Sequence, residues 1–145
     1  MNFPGIVAFG LKHNVVRHLS PEITALYLRP FIPPSRRGIA AFYPGQITLA
    51  TEYFAQLEAD LPRLADKQVL IFWALKDPGF SDADRARWEQ AFPRHKTITF
   101  PDASHFFFED EATQMIPAIE AYMSSIQKDQ SAVPPPSLSH PRQTD

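Results

Sequence analysis

Hydrophobic and polar positions follow different rhythms in different parts of the chain. Residues 69–75, VLIFWAL, are apolar without alternation, the pattern of a strand covered on both faces, as strands of parallel sheets are. Residues 95–100, HKTITF, alternate and are β-branched, which predicts a second strand. Between them, SDADRARWEQAF sets Ser81 at an N-cap with Asp84 three residues on. Ala83, Ala86, Trp88 and Phe92 then surround a helix that Pro93 ends. Beyond the second strand Ala112, Met115, Ile116, Ile119, Tyr122, Met123 and Ile126 form a stripe at about 3.6-residue spacing, a last helix. Pro117 falls inside it, where a kink or a fresh helix start is expected.

The first part of the chain reads as small helices with aromatic faces. LSPEITALYLRPF places Ser20 at an N-cap, Pro21 at the first helical position, Glu22 in the first turn and Pro30 as a stop. FIPPSRRG and YPGQ separate short segments, and Leu49, Tyr53, Leu57, Leu61 and Leu64 recur at helical spacing. From residue 129, DQSAVPPPSLSHPRQTD has too little apolar surface to offset the entropy of ordering. The expected division is therefore a helical segment over 1–48, a strand-and-helix part over 49–128 and a disordered tail over 129–145.

Strand, helix, strand, helix with a right-handed crossover is a βαβα unit of a parallel sheet, so the fold class is α/β. In open α/β sheets, ligands and catalytic groups gather beyond the carboxyl ends of the strands. The first strand runs out into Lys76 and Asp77 before a Pro-Gly turn, and the loop after the second delivers His105. Asp77 is thus either a turn former or a carboxylate presented for chemistry. Parallel strands bring the two residues to one edge of the sheet. An Asp that accepts a hydrogen bond from one imidazole nitrogen leaves the other free as a base. Asp102 and Glu109 are the other acids that could partner His105.

Composition narrows the function classes. The chain has 145 residues, enough for one domain, and a formal net charge of −2 with acids and bases spread along it. A nucleic-acid or membrane-surface protein would carry a basic footprint, so neither partner is expected. With 0 cysteines there is no disulfide framework and no thiolate metal site. His13 and His18 do not share a helical face and read as surface residues, so no metal is expected and no cofactor. FPGIVAFGL near the N-terminus lacks the charge and cleavage pattern of a signal peptide, and no apolar stretch approaches the ~18 residues of a membrane span. A cytoplasmic protein is expected.

VLIFWALKDPGFSDADRARWEQAFP, TFPDASHFFFED and the earlier LSPEITALYLRPF resemble the C-terminal part of the haloalkane dehalogenase-like branch of the α/β hydrolases, over roughly residues 15–126. The resemblance implies a partial α/β-hydrolase fold: the last βαβα unit of the sheet, preceded by helices like the end of the family's cap domain. It makes Asp77 the triad acid and His105 the triad base, with Phe80 and Phe106 lining the substrate pocket. In that family a carboxylate nucleophile displaces halide to form an alkyl-enzyme ester, and the histidine activates water to hydrolyse it. Related members use serine on esters or an acid on epoxides.

This sequence departs from the family pattern in what precedes that pair. Its glycines are Gly5, Gly10, Gly38, Gly45 and Gly79, and no two have the four-residue separation of a G-x-S-x-G or G-x-D-x-G nucleophile elbow. The cap-like part has no tryptophan, so halide-binding donors are not assigned. Ala74 stands where the family usually has glycine before the acid motif. Ser104 replaces the glycine often found before the histidine, a change expected to bear on the angle at which His105 is presented. The expectation is a hydrolase fragment, inactive alone, acting on a small apolar substrate when a second polypeptide or upstream sequence supplies the nucleophile. The alternative is a non-catalytic interaction module or pseudoenzyme of the same descent. Either way, a sheet with so few strands exposes an apolar edge, through which self-association is expected.

Overall fold

A computed structural model describes residues 3–132. Its centre is the expected strand–helix–strand unit. Strand β1 (Val69–Ala74) pairs in parallel with β2 (His95–Phe100), in register from Val69 opposite His95 to Ala74 opposite Phe100. Backbone bonds carry the pairing past both ends. Val69 donates to the Arg94 carbonyl at 3.1 Å, Leu75 to Phe100 at 3.0 Å and Lys76 to Ala103 at 3.0 Å.

The crossover between the strands is helix α5 (Asp82–Ala91), started by the capping box that the sequence predicts. The Ser81 amide and hydroxyl both donate to Asp84 Oδ2, at 2.8 and 2.7 Å, and the Asp84 amide donates back to Ser81 Oγ at 3.4 Å. The bonds from the Ser81 backbone, and then from its hydroxyl, hold the Asp84 carboxyl below the usual carboxylate range. A depressed carboxyl adds stability above its unfolded pKa and loses it as pH falls through the folded value. Ser81→Ala is expected to cost about 1 kcal/mol in denaturant unfolding at neutral pH.

One face of the sheet holds the core. Ala74, Phe100 and Ala103 are buried, and Phe72, Ile98, Phe107 and Met115 pack against them. Phe72 and Phe107 each stack on Phe100, at centroid distances of 5.7 and 6.0 Å. Phe107 comes from the short helix α6 (Phe107–Asp110) and Met115 from α7 (Ala112–Ala132). Helix α7 is one element with Pro117 inside it, so no fresh helix starts there. It extends to Ala132, into the stretch expected to be disordered from residue 129. The rest of that expected tail, 133–145, lies outside the described residues.

The opposite face explains why β1 departs from expectation. The strand was expected to be covered on both faces, yet Ala74 alone is buried and the other five residues are half-buried. Val69, Ile71 and Trp73 border an open groove with Trp88 and Phe92. Trp88 stacks on Phe92 at 6.0 Å and is 45% exposed. With one neighbouring strand and helices α6 and α7 on one side, atoms on the far side of β1 have few partners.

The helical part comprises α1 (Phe3–Asn14), α2 (Pro21–Leu28), α3 (Arg37–Leu49) and α4 (Thr51–Asp60), followed by a 3₁₀ turn over Leu61–Leu64. Ser20 caps α2 as expected, its hydroxyl accepting from the Ile23 amide at 3.3 Å. Two short 3₁₀ turns, Arg29–Phe31 and Pro34–Arg36, lead through FIPPSRRG into α3, and Arg37 donates to the carbonyls of Phe31 and Ile32 at 2.8 and 2.7 Å. YPGQ is not a separator: α3 runs through Pro44, forgoing the one hydrogen bond that a proline nitrogen cannot donate. The stripe expected at helical spacing is divided among three elements, with Leu49 closing α3, Tyr53 and Leu57 in α4 and Leu61 and Leu64 in the 3₁₀ turn, and Leu49, Tyr53, Leu57 and Leu64 are all exposed. No helix among the described residues is long and apolar enough to cross a membrane.

Candidate active site

Asp77 and His105 meet where the two strands end. Leu75 and Lys76, just beyond β1, are still bonded to the β2 side, and Asp77 follows them in the turn. Its carboxylate serves the turn and the histidine together. Asp77 Oδ1 accepts from the amides of Gly79 at 2.7 Å and Phe80 at 3.2 Å, closing the Pro78–Gly79 turn. Both oxygens lie 3.0 Å from His105 Nδ1. The Asp77 side chain is 9% exposed and that of His105 40%, so the acid is shielded and the base opens to solvent.

Neighbouring bonds fix the angle of approach. Ala103 is fully buried and accepts from the Lys76 amide, while Ser104 Oγ donates to the Lys76 carbonyl at 3.3 Å. Ser104 therefore stitches the histidine loop to the aspartate loop. Lys76 Nζ also reaches Asp102 at 2.7 Å, an exposed pair that contributes little to stability. Glu109 is engaged by Tyr27. Neither of the two other acids is the partner of His105.

Phe80 and Phe106 flank the imidazole. Phe80 stacks on it with centroids 5.8 Å apart and planes inclined by 12°, and Phe106 meets it nearly perpendicular at 5.5 Å. Phe80 also lines an open apolar pocket of about 970 Å³ between α4, the turn after it and α5. Phe54, Leu57, Leu61 and Trp88 line that cavity, and the Glu58–Arg87 ion pair at 3.1 Å stands at its polar margin. Phe106 is not part of its lining.

Several supports of the site have no local signal in the sequence. The Phe106 amide donates to the Asn14 carbonyl at 2.8 Å, anchoring the residue after His105 to the end of α1. Asp110 accepts from the amides of Val16 at 3.0 Å and Arg17 at 2.9 Å, and the Arg17 guanidinium donates to the Glu109 carbonyl. Tyr27 donates its hydroxyl to Glu109 across 82 residues of sequence, and its ring packs on Phe106. Pairs so far apart are visible only once the chain is folded.

The Glu109 carboxylate, first by accepting that hydrogen bond, pushes the Tyr27 phenol up from 10.0 to about 12. A raised pKa means that the contribution to stability is complete below pH 10 and is lost as pH rises through about 12. Spectrophotometric titration of Tyr27→Phe is expected to lack the phenolate component near pH 12. The alkaline fall in stability should shrink with it.

A carboxylate can only accept, so the proton shared with Asp77 sits on Nδ1 and the Nε2 lone pair of His105 is left to take another. His13 is elsewhere, bonded to the Phe9 carbonyl at 2.8 Å with its ring tilted by 30° against the Phe9 ring. Among the described residues, no three His, Asp or Glu side chains stand together as a metal site.

Known proteins are similar to this chain. Residues 14–112 match the profile of the alpha/beta hydrolase fold family. A cis-3-alkyl-4-alkyloxetan-2-one decarboxylase of Xanthomonas campestris pv. campestris is 35% identical over 115 residues, covering 76% of this chain and 38% of that protein. Haloalkane dehalogenase 2 of Mycobacterium tuberculosis H37Rv and that of Mycobacterium bovis are each 34% identical over 87 residues, covering 59% of this chain and 30% of theirs. The chain thus spans between 30% and 38% of the length of these relatives.

Proposed function

The chain belongs to the α/β hydrolase fold family, and from that membership we propose that Asp77 and His105 are the acid and base of a hydrolytic triad whose nucleophile is supplied from outside these 145 residues. The observation that carries this reading is the 3.0 Å contact of His105 Nδ1 with both Asp77 oxygens, at the ends of adjacent parallel strands. In the proposed cycle an outside carboxylate displaces halide from a small haloalkane, forming an alkyl ester as the carbon–halogen bond breaks and halide leaves. His105 Nε2 then takes a proton from the water that attacks the ester carbonyl, and the alkoxide leaves with that proton as an alcohol, restoring the carboxylate. Asp77 stabilises the imidazolium that forms. The names of the relatives, a haloalkane dehalogenase and an oxetanone decarboxylase, favour haloalkanes or strained lactones over charged substrates.

The remaining strands would add along the free edge of β1. That strand is apolar at every position, whereas β2 begins with His95 and Lys96, the composition of a sheet margin. Reconstitution tests the proposal: the chain is co-expressed with the N-terminal portion of one of these relatives, which brings the elbow, and halide release from a short haloalkane is followed. Turnover is expected from the pair and from neither part alone. No turnover from a complex that does assemble would refute the reading.

A rival reading, a non-catalytic interaction module of the same descent, draws on the exposed apolar residues of α3 and α4, among them Tyr43, Ile47, Leu49 and Tyr53. It predicts that His105→Ala leaves the chain's biological effect unchanged.

A further inference from the structure

The two phenylalanines beside His105 make electrically different contacts. The face of an aromatic ring is negative and its edge positive, so a ring stacked on an imidazole attracts it more strongly once it is charged. Phe80 is placed for that attraction, nearly parallel to the imidazole at 5.8 Å. The perpendicular Phe106 restrains the plane of the imidazole from the other direction. Phe80 is itself held in place twice. Its amide donates to Asp77 Oδ1 at 3.2 Å, and its ring meets Trp73 edge-on at 6.3 Å. One carboxylate therefore anchors both the imidazole and the backbone of the residue whose ring covers it.

We propose that Phe80 is a positioning residue that strengthens His105 as a base, its ring face stabilising the imidazolium. This deepens the proposed acid–base reading and rests on it for its catalytic consequence. The ring also shields part of the imidazole, whose side chain stays 40% exposed, and that shielding works in the opposite direction by disfavouring charge. A leucine would keep that apolar cover and remove the π-face. The charged groups around His105 stay the same in such a variant: Asp77 on the β1 turn, the Lys76–Asp102 pair on the two loops, and on α6 Glu109, held by Tyr27 and Arg17, with Asp110, held by the Val16 and Arg17 amides.

The test is an NMR titration of the histidine Cε1 protons in the full chain, with His105 assigned by the signal that His105→Gln removes. Phe80→Leu is expected to lower the His105 midpoint by about half a pH unit, and Phe80→Tyr to keep the wild-type value. A midpoint that stays put or rises in Phe80→Leu overturns the proposal. Should the leucine variant not fold, pentafluorophenylalanine at position 80 keeps the shape of the ring and reverses its quadrupole. It too is expected to lower the midpoint, and an unchanged value overturns the proposal. Asp77→Asn separates this inference from the reading beneath it. If Asp77→Asn lowers the midpoint and Phe80→Leu does not, the acid–base pair stands and the role of Phe80 falls. If neither moves it, both fall.

Discussion

Replacing His105 with alanine is expected to lower turnover of the reconstituted enzyme by about 10³-fold, the usual contribution of a positioned general base. Substrate binding should change little, because the deleted atom acts on water and leaves the ground-state contacts of the substrate alone. Asp77→Asn is expected to cost a comparable factor by a different route. An asparagine amide can donate to Nδ1, which moves the ring proton to Nε2 and removes the lone pair that must accept. It also trades an acceptor shared by the Gly79 and Phe80 amides for a weaker one, loosening the turn. Initial rates over a range of substrate concentration check both variants. A His105→Ala enzyme within a few-fold of wild type would remove His105 from the mechanism.

Left by itself, the chain is expected to self-associate. Two parallel strands form a sheet too small to cover itself, and the outer edge of β1 offers its backbone groups to any strand that approaches. Apolar surface adds to this: Ile47 is 72% exposed and Leu49 78%, and Trp88 is open beside the groove over β1. Sedimentation velocity at micromolar concentration is expected to give species heavier than the 16.4 kDa monomer. They should decline when the completing polypeptide is added, because it would occupy the same edge. A monodisperse monomer with a cooperative thermal transition would contradict this account of the edge.

What the sequence made legible was local or periodic. The Ser81–Asp84 capping box lies within one turn of helix, and the alternation of HKTITF is set by the geometry of a single strand, so both could be read without knowing the neighbours. The meeting of Asp77 and His105 followed from one topological rule, that parallel strands end on the same edge. The cover of β1 was misjudged because an unbroken apolar run reports the environment for which a strand is suited. It does not report how much of that environment these residues build. YPGQ was misread because a proline inside an exposed helix costs a hydrogen bond without necessarily ending the helix. The clasp of Tyr27 on Glu109, and that of the Val16 and Arg17 amides on Asp110, join ordinary residues far apart in sequence. Their effect is local to the site, because they fix the helix that begins just after His105.

The central claim, that His105 serves the water step of a nucleophile held elsewhere, is tested most directly by intact mass. The reconstituted His105→Gln enzyme is incubated with a haloalkane and both polypeptides are weighed. An alkyl adduct that accumulates on the completing polypeptide, and that the wild-type chain clears, is the predicted result. No adduct in either enzyme, or equal clearance with and without His105, would contradict the account.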